Sequence, residues 1–380
     1  MDTLPARQAG QDRTAASERV AQFEVRYTQF LDKEGRALRE LPPLARDPEL
    51  LVSLYEHMVL NRLFDRKAVA LQRTGQLGTY PSALGQEATA VAVGAAMARE
   101  DVLLGTYRET AAMLIRGVEM REILLYWGGD ETGMAYAGPR APKEDFPISV
   151  PIATHAPQAV GVAYAFKLRK EPRVAVCVVG DGATSKGDFY EALNGAAVWR
   201  LPLVFVIVNN GWAISMPRSA QSATATLAQK AIAAGIEGEQ VDGNDVIAVY
   251  DAMRCALEKA RAGGGPHVIE ALTYRLADHT TADDARRYRS AEEVERQAEL
   301  DPVKRLRAHL VRQGLWGAAQ EEALQAECGA RVEQAVREYL AAPAREPASM
   351  FDHLFAELPE ALRAQREELR GAAMREPSDD

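Results

Sequence analysis

Two short apolar runs constrain this chain more than any other feature. The first is Val174 to Val179 and the second Leu203 to Val208; both are rich in β-branched residues and bounded by breakers. Runs of that length without polar alternation read as strands buried on both faces, as in a parallel sheet. Asp188 to Arg200 supplies one helix between them. The stretch is therefore a βαβ unit, whose crossover is right-handed as a rule.

Polar residues mark where such a unit binds. Gly180-Asp181-Gly182 leaves the C-terminal end of the first strand, and Asn209-Asn210-Gly211 leaves that of the second. Open α/β sheets bind ligands outside those ends. Gly180 and Gly182 allow the backbone to turn sharply beside a ligand. The helix start beyond them offers free N–H groups to an anion. Asp181 and Asn210 are 29 positions apart (181 to 210) but come from adjacent loops. One carboxylate and one amide oxygen make a poor cage for a bare cation. They suit Mg2+ already held by phosphate oxygens, because Mg2+ demands hard oxygen ligands and takes several from its substrate. GDGATSKG is not a Walker A loop, because no Lys-Ser/Thr follows Gly187. The spacing of Gly180, Gly182 and Gly187 also breaks the dinucleotide fingerprint, which argues against a nicotinamide dehydrogenase. A lone GDG fits an ordinary βα turn with an Asp cap. The second motif, ending a second buried strand, favours a site.

The remainder is ordinary in composition and excludes several classes. A chain of 380 residues buries a large core, with 47% hydrophobic and 26% charged residues. A net charge of −9 speaks against a nucleic-acid surface. Cys177, Cys255 and Cys328 are odd in number and widely spaced, which points to reduced thiols in a cytoplasmic setting. No apolar run reaches membrane-spanning length, and the N-terminus lacks an apolar signal core.

In chain order, residues 1 to about 20 are polar and expected to be mobile. AQFEVRYTQFLDKEG alternates weakly, as a short hairpin or an arm, and Pro42-Pro43 marks a boundary. A helical period begins at Pro48. Gly85-Gln86-Glu87-Ala88 enters a small-residue helix, where helix capping alone would also account for Gln86 and Glu87. Tyr107 and Arg108 follow; Arg108 has the planar fork that grips phosphate. Residues 127 to 147 read as a long loop, and Ala156 to Leu168 as a helix. Further helix–strand alternation to Tyr274 supports a doubly wound, mostly parallel sheet. His279 then lies beyond a strand end, where a loop histidine is either solvated or functional. From Ser290 the chain is helical and charged, and its last residues, REPSDD, read as frayed. The expected division is a flexible arm at 1–45, an α/β domain at 46–300 and a helical C-terminal extension at 301–380.

GDG followed by NN, together with GQEA (85–88), Tyr107-Arg108, VPIATH (150–155) and YRLADHTT (274–281), resembles the alpha subunit of the decarboxylating component of 2-oxo acid dehydrogenase complexes. The resemblance runs from about Leu51 to Leu315. It implies a thiamine-diphosphate-binding fold and an enzyme that oxidatively decarboxylates a small 2-oxo acid. Tyr107, Arg108, Gly180 and the Gly182-Ala183 backbone would hold the diphosphate, and Val150 and Ile152 would line the aminopyrimidine. Asp181, Asn210 and the Trp212 carbonyl would hold Mg2+, and His279 would serve acyl transfer. It implies a beta subunit in an α2β2 heterotetramer, which supplies the Glu that activates the cofactor, and a lipoyl domain of the dihydrolipoamide acyltransferase as acyl acceptor. Pyruvate is the expected substrate, with branched-chain 2-oxo acids as the alternative and a non-catalytic scaffold as a third reading. The chain departs from the family's pattern at several positions. His155 stands where Gln is frequent, which bears on a potassium site formed with Ser149, Pro151 and Thr154 in some relatives. Val208 replaces an Arg found in some relatives. Thr280 stands where animal relatives carry a phosphorylatable Ser.

Overall fold

The computed structural model describes residues 19–343, 345–352 and 354–373. The mobile segment expected at the N-terminus is outside them up to residue 18, as is REPSDD. Among the described residues eight strands form: β1 (Tyr27–Thr28), β2 (Val102–Leu104), β3 (Ala175–Gly180), β4 (Leu203–Asn209), β5 (Trp212–Ala213), β6 (Met216–Pro217), β7 (Glu237–Asp242) and β8 (His267–Leu272). Six of them make one sheet in the order β1-β7-β8-β4-β3-β2. Every pairing in it is parallel. β5 and β6 form a separate antiparallel hairpin immediately after β4.

The two apolar runs pair as neighbours, with Val176 opposite Val204 and Gly180 opposite Val208. Their side chains alternate between two cores, which is why neither run shows polar alternation. Val176, Val178, Val204 and Val206 face one core, shared with α1 (Pro48–Arg73), α2 (Glu87–Ala96), α3 (Thr110–Ile115), α4 (Met120–Trp127) and α9 (Val246–Arg261). Cys177, Val179, Phe205 and Ile207 face the other, against α5 (His155–Arg169), α6 (Gly187–Val198) and α8 (Gln229–Ala233). Covering both faces leaves only the strand ends open.

Part of the expected arm packs on the domain. Tyr27 and Thr28 extend the sheet edge, and Phe30 and Leu31 are buried. The Phe30 and Leu31 N–H groups both donate to Asp245 Oδ2, each at 2.7 Å. A bridge between Leu31 and Ala37 closes a short hairpin.

The remaining helices are α7 (Arg218–Gln221), α10 (Ala291–Ala298), α11 (Pro302–Arg312), α12 (Ala318–Leu340) and α13 (Glu360–Ala373). α11 begins as the sequence indicates: Pro302 takes the first turn and Asp301 caps it, accepting from Lys304 N at 2.9 Å. Leu306 and Leu310 of α11 and Val332 and Val336 of α12 join the first core. A buried ion pair fastens α11 to the sheet: Arg305 Nη1 donates to Asp242 Oδ2 at 2.7 Å, at the end of β7. Removing one partner of such a pair leaves an uncompensated buried charge. Arg305→Ala is therefore expected to destabilise the chain by about 3 kcal/mol or more, and adding Asp242→Asn should recover part of the loss. Denaturant unfolding of the single and double variants checks this; additive losses would contradict it.

Candidate active site

The carboxyl ends of β2, β3, β4 and β8 open on one cavity of about 540 Å3, a volume in the range of small-molecule sites. Its lining includes Tyr107, Arg108, Val150, Ile152, Gly180, Asp181, Gly182, Ala183, Asn210, Trp212 and His279. These candidate residues are thus brought to one place, although the outermost two are 172 positions apart (107 to 279).

Two loops form the floor. After β3, Gly182–Ser185 makes a short 3-10 turn before α6. A Cβ at Gly182 would stand 2.8 Å from Ala213 Cβ, so only glycine fits between the two loops. After β4, the two asparagines point to different tasks. Asn209 Nδ2 donates to Glu270 Oε1 at 2.7 Å, bracing β4 against β8. Asn210 reaches the cavity, and its Oδ1 accepts from Trp212 N at 3.2 Å. Gly211 adopts φ +85° to make the turn between them.

Asp181 is buried, and its Oδ2 has no hydrogen-bond partner among the described residues. Burial raises its carboxyl from 3.8 to about 6. Among the described residues no group of three or more His, Cys, Asp or Glu side chains is placed to hold a metal ion. The donors at hand are one carboxylate, one amide oxygen and the Trp212 carbonyl. That set fits Mg2+ only where a phosphate ligand completes the shell.

Arg108, in the loop just before α3, is buried, and the loss of solvent lowers its pKa. Nη1 donates to Ser82 O at 2.5 Å, and Nη2 donates to His279 Nδ1 at 3.1 Å and His279 O at 2.5 Å. Its fork therefore already holds protein acceptors, and gripping a phosphate bidentately requires an exchange of these bonds. Ser82 is placed by Asp65, which accepts its Oγ at 2.6 Å and the Ala83 N–H at 2.8 Å.

Arg275 was not singled out by sequence reasoning. It lies three residues beyond the end of β8 and is fully buried. Nη1 donates to Trp212 O at 3.3 Å and His279 Nδ1 at 3.2 Å, and Nη2 to Ile214 O at 2.7 Å and Tyr288 Oη at 2.8 Å. The same strand-end rule that pointed to Asp181 would have found it.

The two guanidiniums define His279. Nδ1 receives a hydrogen bond from each, so it carries no proton, and the neutral ring is protonated at Nε2. Burial first, then the charges of Arg108 and Arg275, lower its pKa to about 4. The ring packs edge-on to Tyr107 at 6.1 Å, and His279 N donates to Asp283 Oδ2 at 3.0 Å. His279 is therefore a neutral hydrogen-bond donor above pH 5.

Val150 and Ile152 line the cavity and remain 47% and 44% exposed, which leaves an apolar rim. His155, at the first position of α5, donates from Nε2 to Val178 O at 2.6 Å, and its Nδ1 is buried without a partner among the described residues. Burial lowers its pKa as well.

Residues 55–348 match the family model described as "Dehydrogenase E1 component". The chain is 45% identical over 344 residues to the 3-methyl-2-oxobutanoate dehydrogenase subunit alpha of Mycobacterium tuberculosis, covering 90% of this chain and 91% of that one. It is 39% identical over 351 residues to the pyruvate dehydrogenase E1 component subunit alpha of Staphylococcus aureus, covering 91% and 93%. The corresponding Staphylococcus epidermidis subunit is 39% identical over 355 residues, covering 92% and 94%. The chain belongs to the dehydrogenase E1 component family. Within it, the chain is an alpha subunit of the 2-oxo acid dehydrogenase type. The higher identity to the 3-methyl-2-oxobutanoate relative favours the branched-chain alternative over pyruvate, which the sequence motifs had put first.

The raised Asp181 carboxyl carries a signed consequence. The unfolded chain ionises near pH 4, whereas the folded carboxyl keeps its proton to about pH 6. Stability from this group is thus present below the unfolded value and is lost as pH rises through the folded one. Above pH 6 the ionised Asp181 burdens the cofactor-free protein. Asp181→Asn is expected to raise its melting temperature at pH 7.5, by a stability gain of roughly 1–3 kcal/mol, with no gain at pH 3.5. Thermal melts at the two pH values check this; an unchanged melt at pH 7.5 would contradict it.

Proposed function

We propose that the chain is the alpha subunit of a branched-chain 2-oxo acid dehydrogenase component that works with thiamine diphosphate and Mg2+. The observation that carries the cofactor reading is Asp181, a buried carboxylate with a free oxygen beside the Asn210 amide. Such a group asks for a cation. The substrate reading rests on the identities of 45% and 39% just given. Pyruvate is the second reading, favoured by the staphylococcal relatives.

Asp181, Asn210 and the Trp212 carbonyl would hold Mg2+. The backbone of Gly180, Gly182 and Ala183, with Tyr107 and Arg108, would take the diphosphate, and Val150 and Ile152 would border the aminopyrimidine. Bound thiamine diphosphate supplies the electron sink that lets a 2-oxo acid lose carbon dioxide. Arg108 and Arg275 make the cavity favourable to anions, the substrate carboxylate included. The apolar rim, with Trp127 and Ile214, makes the mouth of the cavity less polar around the reacting groups. His279 holds its proton on Nε2 and donates it in a hydrogen bond to an oxygen of the substrate or the acyl group; its Nδ1 is committed to the arginines.

Of the lining residues only Asp181 and Glu109 are carboxylates, and Glu109 Oε2 already accepts from Thr106 N and Oγ1. Neither is free to activate the aminopyrimidine. We assign that carboxylate to a beta subunit in an α2β2 assembly, with the lipoyl domain of an acyltransferase as acyl acceptor. The three cysteines are free, in keeping with a cytoplasmic enzyme.

The test is dye-linked decarboxylation by the chain co-expressed with its beta subunit. A kcat/KM for 3-methyl-2-oxobutanoate well above that for pyruvate is expected, with turnover dependent on thiamine diphosphate and Mg2+. The reverse preference moves the assignment to pyruvate. Arg108→Met should raise the thiamine diphosphate concentration for half-activation by about 10- to 100-fold, through loss of charged hydrogen bonds.

A further inference from the structure

The carboxamide of Asn210 has an orientation that its neighbours impose. The Trp212 backbone N–H can only donate, so the Asn210 atom facing it at 3.2 Å is the oxygen. Its Nδ2 therefore faces Gln86, and the Gln86 atom 3.1 Å away must be the acceptor Oε1. Both side chains are buried.

Gln86 has no other visible task for its side chain. Its Nε2 is buried without a partner among the described residues, so the bond to Asn210 is the only one its carboxamide makes there. The loop-to-helix turn at Gln86 is held by backbone bonds, Gln86 N to Ala83 O and Ala90 N to Gln86 O. The loop itself is pinned from behind. Glu87 accepts the Gly85 N–H at 3.0 Å and pairs with Arg62 at 2.7 Å, and Arg62 pairs in turn with Asp301, the cap of α11. Gln86 thus sits on a braced segment with one side-chain hydrogen bond among the described residues, and that bond is to Asn210.

We propose that Gln86 is a positioning residue for the cation. It locks the Asn210 carboxamide with oxygen on the Trp212 side, leaving a second lone pair for Mg2+. A flipped carboxamide would present NH2 where the cation needs oxygen. This rests on the cofactor reading above.

The experiment uses the complex with its beta subunit. Mg2+ is titrated at saturating thiamine diphosphate, and quenching of tryptophan fluorescence is followed, because Trp127 and Trp212 line the cavity. Gln86→Met keeps the shape and removes the acceptor. It should raise the Mg2+ concentration for half-quenching about tenfold, the value of one buried hydrogen bond. Gln86→Glu retains an acceptor oxygen and should restore tight Mg2+ binding, which a merely structural role would not do. Wild-type affinity in Gln86→Met overturns the proposal alone. So does a Gln86→Glu variant that folds but binds Mg2+ as weakly as Gln86→Met, or weaker. A wild-type complex with no Mg2+-dependent quenching overturns the cofactor reading and this proposal together.

Discussion

A parallel sheet covered by helices on both faces has one kind of opening, the ends of its strands, and this constraint organises the molecule. Valines and isoleucines fill β3 and β4 because both faces are dry. Every group with chemistry is therefore displaced into the loops beyond the carboxyl ends: Tyr107 and Arg108 after β2, Asp181 after β3, Asn210 after β4, and Arg275 and His279 after β8. The parallel register aligns those ends, so residues far apart in sequence converge without any of them lying in the core.

The converged site is electrostatically unresolved. Two buried guanidiniums and two buried carboxylates, Asp181 and Glu109, share it, yet no ion pair joins Asp181 to either arginine among the described residues. Asp181 Oδ2, Arg275 Nε and Gln86 Nε2 are all buried without partners there. Unpaired polar atoms are few in folded proteins and each calls for an explanation. Their concentration around one cavity fits a site organised for a charged ligand that carries both cation and anion. Buried ion pairs also lie away from the site, such as Arg62 with Glu87 and Asp301, and Arg305 with Asp242.

The neutral state of His279 follows from the same arrangement. In isolation a histidine titrates near neutrality, but two arginines donating to one nitrogen forbid a proton there. The group becomes a fixed donor. Asp283 and Tyr288 extend the network: Tyr288 Oη donates to Asp283 Oδ2 and accepts from Arg275. The loop after β8 is thus tied to the site through the residue that sets the histidine's tautomer.

By itself the sequence determined the sheet, the helices and the loops that matter. Hydrophobic period and breakers locate β3, β4, α5 and α6 to within a residue or two, because burial dictates those patterns. The strand-end rule then picks out Asp181 and Asn210. β1 and β2, of two and three residues, are too short to leave a pattern. They form only because a longer neighbour supplies the hydrogen-bonding edge. Arg275 lies within reach of the strand-end rule but looks like one more solvated arginine until the fold buries it, and Gln86 before a helix reads equally as a capping residue. Tertiary structure alone decided which of two adjacent asparagines braces the sheet and which faces the cavity. It also decided which histidine nitrogen holds the proton, since hydrogen-bond direction depends on atoms brought together from distant parts of the chain.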